Sequence, residues 1–483
     1  MTTDAARSAR FRPADSPALL LLLGLCWAAP LPAQELPVDN VLLIVADDLG
    51  VDSLGLWPVA TSYPPTPGLQ RLADEGVLFS NCWSMPLCSP TRATLMTGRY
   101  PFDTGVTDVS TNSDLPTSEV TVAELLGLAG TTTCAIGKWH LAGEQEPCVD
   151  CCDPLNHGFG TYRGIPASRG HFITIPGSKC SPLEHYYHWT KYRGDGGVCT
   201  DTGITNVYAT TDNVLEAMDF IALHKDHPWF VYLALNAPHE PYYAPPDGLH
   251  SYHGTVRPDL AVGPGQECPG PDCTPSCSTL DLRLVYEAMV EAADDRIELL
   301  IAMLEASGEF ADTTIVFVGD NGTPDSVFPP GPPKPRKKGT LYNGGIHVPL
   351  IISGAGIEEP GRTYNSYVNT NDLFDTVLEL RGAGAPGVND SYSLVPVLQD
   401  TATGFVRPYV LSQAGGSSFA IRDNDPANYP EYKLIAKNRS GTPAYELYRD
   451  PDYFEQNDLS TSTVMRDMDA FTHLEALLTS LGL

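Results

Sequence analysis

Basic residues are scarce in this chain. Among 483 residues, 29 are Lys or Arg against 59 Asp or Glu, a formal charge of −30. Contacts to a phosphate backbone need a basic footprint, so nucleic acid is excluded as a partner. Charged residues of either sign make up only 18%, against 42% apolar; that ordinary globular mix excludes disorder, coiled coil and collagen. No G-X-Y period and no internal repeat is present. Long apolar runs are also missing. The run from Ala18 to Trp27 falls far short of the ~20 residues that span a bilayer. With Arg7, Arg10 and Arg12 before it and the small residues A-A-P-L-P-A-Q after it, the segment reads as a secretory signal peptide over 1–33. No stable membrane insertion is expected. The expected location is outside the cytoplasm, periplasmic or secreted.

Cysteine is not scarce. There are twelve; Cys26 leaves with the signal. Cys148, Cys151 and Cys152 cluster, as do Cys268, Cys273 and Cys277. No His follows at zinc-finger spacing, and Pro and Gly surround both clusters. In an oxidising compartment they read as disulfides pinning loops, with a pairing that spacing alone leaves open.

Short continuous apolar runs alternate with helical patterns. VLLIVA (41–46), FVYLAL (230–235), TIVFV (314–318) and VPLIIS (348–353) read as strands buried on both faces, as in a parallel sheet. Helical spacing covers 207–223, 281–305 and 372–380. The fold class expected is therefore α/β: a large, mostly parallel central sheet flanked by helices, over about 34–400. Residues 144–200 and 244–280, rich in Cys, Pro, Gly and His, read as loop insertions. Over 401–483 the texture changes to RPYVLSQ, SFAIRD, YKLIAK and YELYRD, short alternating segments that predict a small antiparallel sheet, closed by a helix over 463–478.

The first strand ends in Asp47-Asp48, and the strand at 314–318 ends in Asp320-Asn321-Gly322. In open α/β sheets ligands bind at that edge. If the strands are neighbours, three carboxylates and an amide oxygen converge, a hard donor set for Ca²⁺ or Mg²⁺; alone, each is an ordinary turn signal. In Cys88-Ser89-Pro90-Thr91-Arg92, Ser89 can cap a helix, Pro90 fits its first turn and Gly98 can end it. Cys88 then stands at a helix N-terminus, where backbone N–H groups attract anions, with Arg92 one turn on. Such a thiol could be a nucleophile itself, or a structural cysteine paired with Cys82. Lys138 and His140 follow TTTCAI, His239 follows FVYLAL, and Lys337-Lys338-Gly339-Thr340 precedes Tyr342-Asn343-Gly344-Gly345. A metal-binding acidic cluster with a polar cysteine, Arg92, Lys138, Lys338 and histidines makes a site for a tetrahedral oxyanion.

These pieces resemble the type I sulfatases, the arylsulfatase family within the alkaline phosphatase superfamily. ADDLG (46–50), CSPTRATLMTGRYP (88–101), GKWHL (137–141), APHEP (237–241), GDNG (319–322) and KKGTLYNGGIHVPLI (337–351) occur in family order. The resemblance spans about 38–460 and implies an alkaline-phosphatase-like sandwich. It implies that a separate maturation enzyme oxidises Cys88 to formylglycine, whose hydrated form attacks sulfur with one hydroxyl and expels sulfate with the other. It implies that Asp47, Asp48, Asp320, Asn321 and the oxidised Cys88 bind a metal, usually Ca²⁺, with Mg²⁺ the alternative. Arg92 supports the deprotonated diol, Lys138 and Lys338 bind the sulfate oxygens, His140 takes the proton from the second hydroxyl, and His239 with Lys338 serves the leaving group. The expected activity is hydrolysis of an aryl or carbohydrate sulfate ester. Two alternatives are a phosphodiesterase or phosphonate monoester hydrolase of the same superfamily, and a non-catalytic binder of sulfated glycans. The chain departs from the family at Asn343, where an acidic residue is frequent. Specificity is expected in the two insertions and in the Pro-rich stretch 323–337.

Overall fold

The first apolar run forms strand β1 (Asn40–Ala46), and all seven of its residues are buried. Its side chains enter two different cores: Leu42 and Ile44 join one cluster, Val41, Leu43 and Val45 the other. A strand covered on both faces reads as a continuous apolar run, and each fully buried Leu or Ile contributes about 1.5–3 kcal/mol. This computed structural model describes residues 38–142, 152–165, 186–252, 282–329, 337–384, 390–404 and 406–483. The segment read as a signal peptide, Cys148 and Cys151 of the first cysteine cluster, all of the second cluster and residues 330–336 of the Pro-rich stretch lie outside them.

Around β1 the sheet grows in both directions. It contains β2 (Gly76–Trp83), β3 (Thr132–Lys138), β4 (Thr161–Ile165), β5 (Trp189–Asp195), β6 (Val198–Thr205), β7 (Trp229–Ala234), β8 (Thr313–Gly319), β9 (His347–Gly354), β10 (Arg362–Tyr364) and β11 (Val368–Asn369). The order is β10-β2-β9-β8-β1-β7-β3-β4-β5-β6, with β11 beside β2. β1 runs parallel to both β7 and β8, and β3 parallel to β7 and β4. β9 is antiparallel to β8 and β2. Its run VPLIIS reports burial on both faces, not strand direction. The region 144–200, read from sequence as a loop insertion, instead supplies β4, β5 and part of β6, which extend the sheet. β6 is exposed along nearly its whole length, so no apolar run announces it. Cys152, from the first cysteine cluster, is bonded to Cys199 on β6. Of the second insertion only 244–252 is described.

The helices are α1 (Pro67–Asp74), α2 (Cys88–Thr97), α3 (Pro101–Thr104), α4 (Val122–Leu128), α5 (Ala209–His224), α6 (Leu282–Ser307), α7 (Asn343–Ile346), α8 (Asp372–Leu380), α9 (Val395–Leu398) and α10 (Met465–Ser480). α1, α5 and α6 pack on one face of the sheet; α2, α4 and α8 pack on the other. Asp294 of α6 accepts the N–H groups of Gly68 and Leu69 at 2.8 and 2.7 Å, tying the start of α1 to the longest helix. No described helix is long and apolar enough to cross a membrane.

The small antiparallel sheet is β12 (Tyr409–Ala414), β13 (Ser418–Asp423), β14 (Tyr432–Lys437) and β15 (Ala444–Arg449), in that order. Alternation again builds two faces. Leu411, Ile421 and Leu434 meet Leu474 and Leu478 of α10, while Val410, Ala420 and Ile435 meet Trp83 and Ile346 of the large sheet's side. The buried Lys433 reaches across to Asn343 Oδ1 at 3.1 Å and pairs with Glu455 at 2.7 Å.

Candidate active site

Parallel strands bring their C-terminal ends to one edge of a sheet. Here the neighbours β8, β1, β7 and β3 deliver Asp320-Asn321, Asp47-Asp48, His239 and Lys138-Trp139-His140 to that edge. Gly137 allows the last step. It has φ +87, and a Cβ there would lie 2.0 Å from the Ala234 carbonyl oxygen, so only glycine passes before Lys138 enters the site.

α2 supplies the next two groups. The helix begins at Cys88 itself, and Gly98 closes it with φ +69. Ser89 is not its cap: the hydroxyl donates to the His140 carbonyl at 2.8 Å, joining α2 to the loop after β3. Cys88 is a free, buried thiol, as is Cys82, so the two are not paired. Cys88 Sγ lies 3.4 Å from Asp47 Oδ1 and 3.9 Å from Asp48 Oδ1. Arg92 is fully buried one turn on. It donates to Asp320 Oδ2 from Nε and Nη2 at 3.1 and 2.8 Å, and to the Lys138 carbonyl at 2.6 Å. The Tyr232 hydroxyl lies 3.5 Å from Arg92 Nη1, a contact with no warning in the sequence.

Two lysines complete the ring. Lys138 Nζ is 2.6 Å from Asp47 Oδ2, and Lys338 Nζ is 2.5 Å from Asp48 Oδ1. Its neighbour Lys337 pairs instead with Asp325 on the rim. His239 Nε2 faces Asp48 Oδ2 at 3.6 Å, while its Nδ1 lies 2.5 Å from the Glu240 carbonyl, an acceptor only. Nδ1 therefore carries the proton of the neutral ring. His140 is buried with φ +64. His347 stands apart, with Nε2 on the Ser80 carbonyl at 2.8 Å. Asn343 is held by Glu455 and Lys433.

Burial and charge oppose each other throughout. Burial disfavours ionised Asp47, yet the positive charges around it, Lys138 foremost, hold its carboxyl well below the usual range. Burial and the charge of Asp47 push Asp320 up to about 6 despite Arg92. Burial and Asp320 push the Cys88 thiol well up, and burial lowers His239. Burial acts against Lys338 too, but Asp48 overcomes it and holds the ammonium charged.

A cation fits these residues. Asn321 donates its Nδ2 to Asp48 Oδ1 at 2.8 Å and to the Gly322 carbonyl at 3.0 Å, and its Oδ1 is buried without a hydrogen-bond partner. An orphaned amide oxygen among aspartates is what a hard divalent cation takes. Ligand atoms of Asp47, Asp48, Cys88 and His239 lie within 4.8 Å of one another. His239 was expected only as a proton donor, and no spacing in the sequence marks it as a neighbour of the acidic pair. Asp320 stands beside this set, with Oδ1 accepting the Asp48 N–H at 3.0 Å.

Known proteins share this arrangement of sequence and fold. A family model described as Sulfatase matches residues 39–383. The chain is similar to the N-acetylgalactosamine-6-sulfatase of Homo sapiens, 30% identical over 382 residues, covering 74% of this chain and 65% of that one. It is also similar to the arylsulfatase A of Bos taurus, 29% identical over 409 residues, covering 79% and 71%. The chain thus spans just under two thirds of the human enzyme's length. Among solved structures, Ps i-CgsB in complex with k-i-k-neocarrahexaose is 27% identical with a TM-score of 0.67, covering 91% of this chain and 92% of that one. The PsFucS1 sulfatase from Pseudoalteromonas sp., 21% identical with a TM-score of 0.66 over 92% and 91%, shares the fold.

Proposed function

This chain belongs to the sulfatase family, and from that premise we propose that it hydrolyses sulfate esters of small or terminal aryl or sugar groups, releasing inorganic sulfate. The observation that carries this reading is the buried group of Cys88, Asp47, Asp48, Asp320, Asn321, Arg92 and Lys138 at one sheet edge, with the partly exposed Lys338 paired to Asp48. Oxidation of Cys88 to formylglycine by a maturation enzyme would supply the oxygen nucleophile, and a divalent cation, Ca²⁺ or Mg²⁺, would offset charge on the ester oxygens.

The chain's own residues do the rest. Asp47, Asp48, Asp320 and Asn321 would hold the cation through oxygen donors, with the oxidised residue 88 adding another. Arg92 fixes Asp320 through two N–H groups on one oxygen, which keeps that carboxylate oriented. Lys138 and Lys338 stand as ion pairs beside the two aspartates, from which they can turn to the sulfate oxygens. His239 Nε2 is the atom that would take up a proton and pass it to the departing oxygen, and His140 is assigned the proton given up as sulfate leaves. The disulfide between Cys152 and Cys199 supports an oxidising, exported setting.

A panel of aryl sulfates and sulfated sugars, read by sulfate release, tests the activity, with mass spectrometry of the Cys88 peptide alongside. The expected result is turnover together with an oxidised residue 88. An unmodified thiol, in material from a host that holds the maturation enzyme, with no sulfate release would instead mark a glycan-binding protein.

A further inference from the structure

Beside the acidic pair lies a set of buried polar side chains that the reaction above does not use. Thr323 Oγ1 donates to Asp52 Oδ1 at 2.6 Å and accepts the Gly50 N–H at 3.2 Å. The Ser53 hydroxyl is 3.1 Å from Thr323 Oγ1 and 3.1 Å from Asp52 Oδ1. Arg283 of α6 donates to Ser53 Oγ at 3.2 Å and to the Val327 carbonyl at 2.8 Å. The Lys338 N–H donates to the Thr323 carbonyl at 3.1 Å. Asp52, Ser53 and Thr323 are all at most 1% exposed. Packing at the junction is tight, since a Cβ on Gly50 would lie 3.0 Å from Thr323 Oγ1.

The positions of these residues give the network its meaning. Asp52 follows Asp48 by four residues on the loop after β1, and Thr323 follows Asn321 by two on the loop after β8. One hydroxyl therefore ties together the two loops that carry the oxygen donors, and the Thr323 carbonyl holds the backbone of Lys338. Ion pairs with Arg92, Lys138 and Lys338 offset the charge of the three carboxylates on these loops, but the spacing of the donors still needs something to fix it. Hydrogen bonds made behind the donors can do so without taking up any donor atom. We infer that Thr323 and Asp52 are positioning residues that set the spacing of the Asp47–Asp48 and Asp320–Asn321 loops, and through it the affinity for a divalent cation.

The inference rests on the reading that these loops bind such a cation, and its test separates the two. Thr323→Val removes the hydroxyl at nearly constant volume, whereas Thr323→Ser keeps it. Metal-stripped wild type and both variants are titrated calorimetrically with calcium and, separately, with magnesium, and their metal-free melting temperatures are recorded. Thr323→Val should bind the preferred cation about 10- to 100-fold more weakly, and Thr323→Ser within about threefold of wild type. Asp52→Asn, which keeps the shape and removes the charge from the acceptor, should weaken binding in the same direction and stands in should Thr323→Val not fold. Wild-type affinity in Thr323→Val or Asp52→Asn, even with a lowered metal-free melting temperature, overturns the inference and leaves the metal assignment intact. So does a Thr323→Ser variant as weak as Thr323→Val, because packing of the methyl would then be what matters. A wild type that binds neither cation overturns the metal assignment and this inference with it.

Discussion

Cys88 sits where a thiol has little use. Burial and Asp320 hold it protonated, and Arg92, the cation that could have activated it, is spent on Asp320 and the Lys138 carbonyl. A protonated thiol is a poor nucleophile, which favours a modified residue 88 over the encoded one. Cys88→Ala should therefore lower sulfate release from an aryl sulfate by at least about a thousandfold while leaving the melting temperature close to wild type. Cys88→Ser should be almost as damaging: one hydroxyl can take the sulfate, but no second is present to expel it. Initial rates within about tenfold of wild type in either variant would exclude residue 88 as the nucleophile. At this scale the sequence was informative wherever donors sit within a few residues of a strand end, as with Asp47, Asp48, Asp320 and Asn321. It was silent where the partner comes from elsewhere in the chain: Tyr232 beside Arg92, His239 beside Asp48, and Thr323 on Asp52 all join segments more than a hundred residues apart.

Strands buried on both faces were the elements easiest to read: the four apolar runs became β1, β7, β8 and β9, three of them supplying or flanking the site edge. The helices at 207–223, 281–305 and 372–380 match α5, α6 and α8, because their apolar spacing follows the core they cover. β6 went unread because a strand exposed to solvent has no reason to carry an apolar run, and β4 and β5 because buried positions are interrupted by partly exposed polar ones. The link between α1 and α6 was equally hidden, since it depends on one carboxylate, Asp294, reaching two backbone N–H groups. Burial outweighs those donors and raises Asp294 to about 7. The folded protein then holds a proton there that the unfolded chain releases near pH 4. This contribution to stability is full below about pH 4 and is lost as pH rises toward about 7. Asp294→Asn has no such titration. Urea unfolding at pH 5 and pH 7.5 should show wild type losing on the order of 1–3 kcal/mol relative to Asp294→Asn; a pH-independent difference would exclude the shift.

Over the whole molecule, two properties remain to be tested. Removal of divalent metal should cost activity and stability together, because the reaction loses the cation's charge and a ligand held only by the folded state no longer stabilises it. Chelation followed by Ca²⁺ or Mg²⁺ addition, with activity and melting temperature read in parallel, checks this; full retention of both after chelation would rule the metal out. The second property is net charge. At −30 the chain repels long polyanions, and that repulsion is screened beyond about 10 Å at 0.1 M salt. Small or terminal sulfate esters should accordingly be better substrates than the interior of sulfated polymers at low salt. Moderate salt should raise kcat/KM on the polymer and leave a monosulfated sugar nearly unchanged. A polymer favoured at low salt that loses rate as salt rises would point instead to a basic track near the pocket.

The pairing of Lys138 with Asp47, Lys338 with Asp48 and Arg92 with Asp320 has a consequence for which ester can react. Each buried negative charge has one positive counterpart, and the neutral His239 adds none, so the pocket is electrically balanced before any cation arrives. A divalent cation then leaves it doubly positive. A sulfate monoester brings a single negative charge, and an attacking oxygen brings the second only as its proton passes out of the pocket to solvent. Balance is reached at the moment of attack, which is where stabilisation accelerates a reaction. A phosphate monoester, close to doubly negative at neutral pH, reaches balance as soon as it binds, and attack would then add a charge with nothing to meet it. A pocket balanced in this way for the singly charged ester should be occupied and stalled by the doubly charged one.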